Sequence, residues 1–348
     1  MTKTIPSRAP RPARGPSMAD VAESAGVSTQ TVSRVANGLT NVESATRDRV
    51  VQAMQVLGYR PNKAARALRS GRFRNIGITM FTLSTYGNMR TLDGITVAAA
   101  AAGYSITLVP VRDPTQEAVS SAFTNLVEQA VDGIILLIEA HLVDNSEVEL
   151  PPGLPVVVVD SGARADYPVV DNDQTEGARL ATQHLLDLGH ATVWHVAGPE
   201  GSYPASRRHE SWRDTLVAHG SPVPPIFRGD WTAASGHALG LEIAHRPEIT
   251  AVFAANDAMA LGIMSALHES GRRIPQDVSI VGFDDMAESD SFWPPLTTVH
   301  QDFDLVGQRS IEILLDEIEH APIVPVRSIV PVRLVLRAST GAPPPHAP

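Results

Sequence analysis

The sequence predicts two structural parts in succession: a small helical module near the N-terminus and a larger α/β body made of two similar lobes. The chain has 348 residues, which is longer than one compact domain usually is. In residues 17–60, short helical segments follow each other between capping residues and glycines. From residue 75 onward, short apolar runs alternate with helical segments, and the alternation begins again near residue 175. Apolar strands that alternate with helices indicate parallel sheets covered on both faces, and two such sets indicate two lobes.

The helical module has the start and stop signals of a helix-turn-helix. Ser17 can cap a first helix, which Gly26 ends. Ser28 can cap a second helix, which Gly38 ends. Small apolar side chains are spaced to pack where the two helices cross: Val21, Ala25, Val32 and Val35. Two short helices around a tight turn that contains glycine predict a helix-turn-helix.

A third helix and a linker complete this N-terminal part. The third helix is predicted to start at Ser44. Its apolar residues recur at helical spacing: Val50, Val51, Met54 and Leu57. In residues 61–74, Pro61 stops the preceding structure and Asn62 can cap a helix of about eight residues. Isolated helices need roughly 12–15 residues to be stable, so this linker is predicted to be helical only in some states.

The net charge of the chain changes sign at about residue 74, where the helical N-terminal part ends and the α/β body begins. Residues 1–74 carry 13 Lys and Arg against 4 acidic residues, whereas the remaining residues carry 15 against 34. A basic module on an acidic body predicts that the module attracts nucleic acid while the body repels it. A basic disordered tail over residues 1–16 explains part of this charge, but not the nine basic residues of 34–74. A second disordered tail is predicted over residues 339–348, which are rich in proline.

Composition and motifs argue against several classes of function. The chain contains no cysteine and no run of 18 apolar residues, so disulfides, Cys-ligated zinc and a membrane span are excluded. The N-terminal residues lack the apolar stretch of a signal peptide, so we expect a cytoplasmic protein. No phosphate-binding glycine loop, nucleophile elbow or zinc-binding histidine pair is present, so no enzyme, cofactor or metal site is predicted. Asp284 and Asp285 are neighbours whose side chains point opposite ways, so they are not expected to share a proton.

Polar and aromatic side chains gather where the predicted elements of the body meet. Asp160, Asn256 and Asp284 follow apolar strands. Trp231 follows another strand, and Arg208 begins a helix. Because ligands of open α/β sheets bind beyond the carboxyl ends of the strands, these side chains predict one cleft between the lobes. Carboxylates and a guanidinium bridge hydroxyl groups and an indole covers the apolar face of a sugar ring, so the expected ligand is a neutral polyol. Each Asp and Asn also has an alternative role as a helix cap or turn residue.

Two stretches resemble the lac repressor family of bacterial regulators. The first is MADVAESAGVSTQTVSRVANG with the following ATRDRVVQAMQVLGYRPNKAARALRSGR, which is similar to the DNA-binding headpiece and hinge of that family. The second is ANDAMALGIMSALHESGRRIPQDVSIVGFDD with PPLTTVHQDF, which is similar to the family's core. The resemblance covers about residues 18–338. It implies a headpiece over 17–60, a hinge helix over 61–74 and a core of the two-lobed, periplasmic-binding-protein type over 75–338.

The resemblance also implies roles for individual residues of the headpiece and hinge. The implied DNA-binding positions are Ser28, Thr29, Gln30, Thr31, Ser33, Arg34, Asn62 and Leu68. Thr29, Gln30 and Arg34 match residues that reach base edges, and Leu68 matches a leucine that enters the minor groove. The spacing agrees, because Gln30 and Arg34 are four residues apart and share one helix face. Their side chains read adenine and guanine through paired hydrogen bonds.

In the core, the resemblance implies a sugar-binding pocket. The matching positions are Asp160, Arg208, Trp231, Asn256, Asp284, Gln301 and Phe303. They imply a sugar effector, a hexoside such as a β-galactoside. The loop STYGNMR after the first core strand and Pro204 depart from the family's pattern, which leaves the identity of the sugar and of its second ring open.

The resulting expectation is a repressor of carbohydrate-utilisation genes that a sugar releases from double-stranded operator DNA. The C-terminal residues lack leucine heptads, so a coiled-coil tetramer is excluded and a homodimer on a near-palindromic operator is expected. Three alternatives stay open at this point. The effector strengthens DNA binding as a corepressor, or the chain is a periplasmic sugar-binding protein, or it is a sugar-active enzyme.

Overall fold

The computed structural model divides the chain into two compact units, Met1–Phe73 and Arg74–Pro348. It describes residues 15–37, 39, 41–60, 71–111, 115–137, 154–159, 167–320 and 326–345. The predictions made for Gly38, Asn62, Leu68, Asp160 and the helix within residues 61–70 lie outside the described residues. No helix in the described ranges is both long and apolar enough to cross a membrane.

The first unit contains three helices: α1 (Met18–Ala25), α2 (Thr29–Ala36) and α3 (Ser44–Leu57). Ser17 caps α1 through a reciprocal pair of bonds, because its Oγ accepts from the amide of Asp20 and the Asp20 carboxylate accepts from the amide of Ser17 at 2.6 Å. Gly26 ends α1 in the left-handed conformation at φ 64°, which glycine adopts without steric cost. Ser28 caps α2 by accepting from the amide of Thr31 at 3.1 Å. The predicted starts of all three helices are confirmed.

The core of the first unit consists of small apolar side chains from all three helices. Its buried members are Val21, Ala22, Ala25, Val32, Val35, Val50 and Ala53. The prediction for Val51 is wrong, because its side chain is 41% exposed. Val50 points directly into the core, and the next residue of an α-helix is turned about 100° away from it, so Ala53 takes the inward position one turn later.

The second unit consists of two lobes, each built on a six-stranded sheet. The sheet of the first lobe is parallel throughout and has the order β11-β5-β4-β3-β1-β2. Its strands are β1 (Asn75–Met80), β2 (Ser105–Pro110), β3 (Gly133–Leu137), β4 (Val156–Val159), β5 (Val169–Asn172) and β11 (Arg327–Val330).

The sheet of the second lobe has the order β12-β10-β9-β8-β6-β7 and is parallel except for β12, which runs antiparallel to β10. Its strands are β6 (Trp194–Ala197), β7 (Phe227–Arg228), β8 (Ala251–Ala254), β9 (Ser279–Asp284), β10 (Thr297–His300) and β12 (Arg333–Val335). The predicted fold class, a helix-turn-helix unit followed by a two-lobed core of parallel sheets, is confirmed.

Helices cover the sheets of both lobes. The first lobe has α4 (Tyr86–Ala101), α5 (Gln116–Glu128) and α10 (Phe303–Glu319). The second lobe has α6 (Gln174–Asp187), α7 (Tyr203–His219), α8 (Ala233–Ala244) and α9 (Asp257–Glu269). The chain passes between the lobes after β5, after β10 and after β11, because the next element in each case belongs to the other lobe. The ends of β5 and β10 therefore bring crossover residues to the junction of the lobes.

Part of the predicted C-terminal tail is packed instead of disordered. Ser339 is fully buried, and its carbonyl oxygen accepts from the amide of Ile280 at 2.9 Å. The carbonyl oxygen of Gly341 accepts from Ser279 Oγ at 3.0 Å. The prediction of disorder over 339–348 is therefore wrong for these first residues. The proline run that suggested disorder comes after them, and hydrogen bonds to Ser279 and Ile280 of β9 hold the segment in place.

Candidate functional site

The first unit places six of the eight predicted DNA-binding residues on α2 or at its cap. They are Ser28, Thr29, Gln30, Thr31, Ser33 and Arg34. The opposite face of α2 is buried, since Val32 and Val35 pack into the core of the unit. Thr29 and Gln30 are exposed and Arg34 is partly exposed. A helix anchored through one face and polar on the other has the form of a recognition helix that enters the major groove.

The net positive charge of this unit comes from the segments that flank its three helices. Residues 17–60 contain four arginines and four acidic residues, so their formal charges cancel. The excess of basic residues comes from residues 1–14 and 61–74. Attraction to the DNA backbone is therefore a property of the flanking segments, whereas the helices carry the groups that can read bases.

Six of the seven predicted effector-binding residues line one cavity between the lobes of the second unit, and Asp160 lies outside the described residues. The six are Arg208, Trp231, Asn256, Asp284, Gln301 and Phe303. Six further residues complete the wall: Thr85, Tyr86, Gly87, Asn88, Gln174 and Pro204. The first lobe contributes the start of α4 and Phe303, and the second lobe contributes most of the polar groups. The cavity volume is about 40 Å³.

Arg208 is the central charged group of the cavity. It lies on α7, whose N-cap Ser202 accepts from the amide of Ala205, and it is only 4% exposed. Its guanidinium donates from Nε to Gln174 Oε1 at 2.8 Å and from Nη1 to the carbonyl oxygen of Ala255. Nη1 is 3.9 Å from Asp284 Oδ1, and Cζ lies 3.7 Å from the centroid of the Phe283 ring. The buried positive charge is thus compensated by a buried carboxylate and by the face of an aromatic ring.

A chain of buried amides connects Arg208 to Asp284. Gln174 Nε2 donates to Gln301 Oε1 at 3.2 Å and to Asp171 Oδ1 at 3.3 Å. Gln301 Nε2 donates in turn to Asp284 Oδ1 at 2.7 Å. Gln174 is not predicted as a cavity residue from the sequence. It comes just after β5, and the pattern of apolar runs does not predict that strand. These hydrogen bonds connect Gln174, which follows β5, and Gln301, which follows β10, to the two charged side chains of the cavity, Arg208 and Asp284.

Trp231 is held in an unusual backbone conformation. Its φ is 74°, in the left-handed region that a bulky residue rarely adopts. Asn256 accounts for this, since its Oδ1 caps α9 at the amide of Met259 and its Nδ2 donates to the carbonyl oxygen of Trp231 at 3.0 Å. The indole lies over Gly198, where a Cβ would come within 2.3 Å of the ring. Backbone strain that neighbouring groups enforce is concentrated at functional sites.

The two carboxylates at the end of β9 point in different directions. Asp284 faces the cavity, whereas Asp285 accepts from Arg337 Nη2 at 2.6 Å and lies 2.9 Å from His300 Nδ1. The predicted opposite orientation of the two side chains is thus observed, and the absence of a shared proton stays a prediction. Among the described residues, no group of three or more acidic or histidine side chains is placed to hold a metal ion.

Asp257 follows the cavity residue Asn256 and connects neighbouring segments of the second lobe through hydrogen bonds. Its carboxylate is fully buried and accepts from the amide of Met286 at 2.9 Å, from Ser289 Oγ at 2.7 Å and from Thr298 Oγ1 at 2.5 Å. These contacts tie the first turn of α9 to β10 and to the segment that follows Asp284. Burial raises the pKa of Asp257 to about 6, although the three donated hydrogen bonds oppose this rise.

The raised pKa of Asp257 predicts a pH dependence of stability. Because the folded protein holds this proton more tightly than the unfolded chain, the contribution is present below about pH 4 and is lost as the pH rises through about 6. We expect the loss to reach about 3 kcal/mol in the free energy of unfolding. Urea unfolding at pH 4.5 and pH 7.5 measures most of it, about 2 kcal/mol. Asp257→Asn should therefore be less stable at pH 4.5, relative to its own stability at pH 7.5, than the wild-type protein. An equal pH difference in both proteins would contradict this assignment.

These two units define a class of protein: a DNA-binding helix-turn-helix regulator with a ligand-binding core. Residues 17–62 match the family model of bacterial regulatory proteins of the lacI family, and residues 182–340 match the periplasmic binding protein-like domain. The chain is 36% identical to the lactose operon repressor of Escherichia coli strain K12 over 328 residues, which are 93% of this chain and 90% of the relative.

Solved structures agree with this assignment. The lac repressor dimer bound to operator and the anti-inducer ONPF is 34% identical, covers 94% of this chain and 100% of that chain, and superposes with a TM-score of 0.84. The complex of the transcriptional regulator CelR with cellobiose is 32% identical, covers 93% of this chain and 99% of that chain, and has a TM-score of 0.68. The chain belongs to the lacI family of bacterial regulatory proteins and is a DNA-binding transcriptional repressor. The family predicted from the sequence is confirmed.

Proposed function

We propose that this repressor acts as a homodimer on a near-palindromic operator and that a sugar, a hexoside such as a β-galactoside, releases it. The observation that carries the proposal is the cavity between the lobes, where a guanidinium, a carboxylate and four side-chain amides surround a space bounded by an indole and a phenyl ring. The genes it controls would then serve the use of that sugar, and the protein would act in the cytoplasm.

The charges of the cavity favour a neutral ligand that is rich in hydroxyl groups. A phosphate or carboxylate would approach Asp284, and an amine would approach Arg208, so a charged ligand of either sign meets repulsion. Hydroxyl groups accept from a guanidinium and donate to a carboxylate, and one hydroxyl does both. Trp231 offers the flat apolar surface on which the carbon face of a sugar ring packs.

The size of the cavity supports a coupling between sugar binding and the arrangement of the lobes. A cavity of about 40 Å³ holds a few water molecules at most, so a hexose enters only if the wall moves. The wall contains residues of both lobes and of the crossovers, including Gln174 and Gln301. If the wall moves through a shift of the lobes, the sugar binds one lobe arrangement better than the other, which is the differential binding that a change of conformation requires.

The dimer and the operator complete the proposed mechanism. The related lac repressor was solved as a dimer on its operator, and two copies of α2 related by twofold symmetry would read two half-sites. The headpiece over 17–60 would be joined to the core over 75–338 by a hinge over 61–74. Leu68 of this hinge would enter the minor groove when the hinge helices pair on DNA.

A thermal-shift screen of mono- and disaccharides tests the sugar, because a ligand that binds the folded state raises its melting temperature. The sugar found in this screen is then added to the complex with an operator selected from random DNA, and release is followed by gel shift. Linkage requires operator DNA to weaken sugar binding by the same factor by which sugar weakens operator binding.

The outcomes separate the possible functions. Release of operator by a hexoside supports the proposal. Stronger operator binding with the sugar would make the effector a corepressor, and chemical turnover of the sugar would make the core an enzyme. Equal affinity for sugar with and without operator would exclude the coupling.

A further inference from the structure

Two buried polar atoms of the cavity wall have no hydrogen-bond partner within the described part of the chain. They are Thr85 Oγ1 in the first lobe and Trp231 Nε1 in the second lobe. Buried polar groups in proteins are nearly always hydrogen-bonded, because an unpaired group loses its contact with water without compensation. A ligand that carries hydroxyl groups and fills the cavity would give both atoms a hydrogen-bond partner.

The hydroxyl of Thr85 is not used for helix capping. Thr85 is the N-cap of α4 with extended backbone angles, φ −88° and ψ 142°, yet its side chain accepts no hydrogen bond from the first turn. The N-cap side chains of the six other α-helices described in this unit do accept one: Thr115, Asp173, Ser202, Thr232, Asn256 and Asp302. An N-cap threonine ordinarily satisfies an amide of its helix. The hydroxyl of Thr85 is thus left available at the cavity wall.

The residues next to Thr85 make this side of the cavity polar. Asn88 is buried, and its Nδ2 donates to the carbonyl oxygen of Thr82 at 3.1 Å. The ring of Tyr86 meets Phe303 edge to face, with 5.9 Å between the centroids. The Tyr86 hydroxyl is protonated at neutral pH, and burial raises its pKa further above neutrality. A hydroxyl, an amide and a phenol therefore belong to the wall that the first lobe contributes.

We infer that Thr85 determines the specificity of the effector, and that the part of the effector facing the first lobe carries hydroxyl groups. This inference rests on the proposed function and names the class of sugar. A disaccharide or another glycoside with a hydroxylated aglycone satisfies the Thr85 hydroxyl, whereas an alkyl or aryl aglycone would leave this hydroxyl buried against carbon. The effector is thus a sugar with hydroxyl groups toward both lobes, and not a hexoside of an apolar alcohol.

The test compares glycosides that share one hexose and differ only in the aglycone. Isothermal titration calorimetry with the full chain measures the affinity of the isopropyl, phenyl and glyceryl glycosides and of the disaccharide. Thr85→Val keeps the shape of the side chain and removes its hydroxyl, and because that hydroxyl caps nothing, α4 is expected to remain stable. Thr85→Ser retains the hydroxyl and is the matched control.

We expect the wild-type protein to prefer the hydroxylated ligands. We expect Thr85→Val to weaken these ligands by about 3- to 10-fold and to leave the apolar glycosides unchanged or bound more tightly. Thr85→Ser should keep the wild-type order. Equal affinity for all aglycones, or an equal loss for all ligands in Thr85→Val, overturns the inference and leaves the proposed sugar response standing. If none of the glycosides binds the wild-type protein, the sugar response itself is wrong.

Discussion

Replacement of Arg208 by alanine is expected to abolish the response to sugar while leaving operator binding intact. A hydrogen bond from a charged donor contributes about 1.5–3 kcal/mol, so its loss corresponds to a loss of sugar affinity between roughly 10-fold and 150-fold. Calorimetry measures the sugar affinity, and fluorescence anisotropy measures binding to the selected operator. The variant should hold the operator at sugar concentrations that release the wild-type protein.

The reason for this large effect is the number of groups that Arg208 organises. Its guanidinium donates to Gln174 and to the carbonyl oxygen of Ala255, and it is the cation near the buried carboxylate of Asp284. Without it, the Asp284 carboxylate loses the nearby cation and stays buried, which is unfavourable for a carboxylate. The melting temperature of the variant should therefore fall, and binding is compared at a temperature where both proteins are folded.

Arg207→Ala is the matched control for this experiment. Arg207 is the preceding residue of α7, but its side chain is 42% exposed and pairs with Glu210 at 3.0 Å on the surface. Exposed pairs of this kind contribute little, so sugar affinity and stability should stay close to wild type. A protein with Arg208→Ala that still binds and responds to sugar normally would show that the ligand does not sit at this cavity.

The sequence predicts those helices and strands whose own residues carry a clear start signal or a run of apolar side chains. The helix starts at Ser17 and Ser28 have a capping side chain and a following glycine at fixed spacing, so they are readable from sequence. The strand β5 has four residues and ends in Asp171 and Asn172, so it lacks the apolar run that reveals β3 or β4. Its place in the sheet depends on pairing with distant strands, and no local pattern contains that information.

The cavity shows the same division between local and distant information. Residues that follow apolar strands, such as Asn256 and Asp284, can be expected at the carboxyl ends of a parallel sheet. Gln174 is not predicted because the crossover after β5 is not predicted. Thr85 falls in the stretch expected to be a loop, but Tyr86 already starts α4. The role proposed for its hydroxyl depends on the absence of a capping hydrogen bond to α4. Whether an N-cap side chain makes that bond cannot be read from the sequence.

Replacement of Arg34 by alanine is expected to lower operator affinity by about 1–3 kcal/mol and to relax the choice of base at one position of each half-site. Arg34 lies one turn after Gln30 on the polar face of α2, and Val32 and Val35 fix the orientation of that helix against the core of the unit. Anisotropy titrations on the selected operator and on each single-base variant measure the change. Non-specific DNA should be bound almost as well as by the wild-type protein, because its attraction comes from the basic flanking segments.

Arg49→Ala separates base reading from simple loss of charge. Arg49 lies on α3, where its Nη2 is 3.4 Å from Thr46 Oγ1, and its removal changes the net charge of the unit by the same amount. This control should bind every base variant in the wild-type order. If Arg34→Ala instead weakened binding by one factor on all sequences and reduced the salt dependence, Arg34 would contact phosphate. Base specificity would then depend on Gln30 and Thr29, whose exposed side chains stand at the start of the same helix.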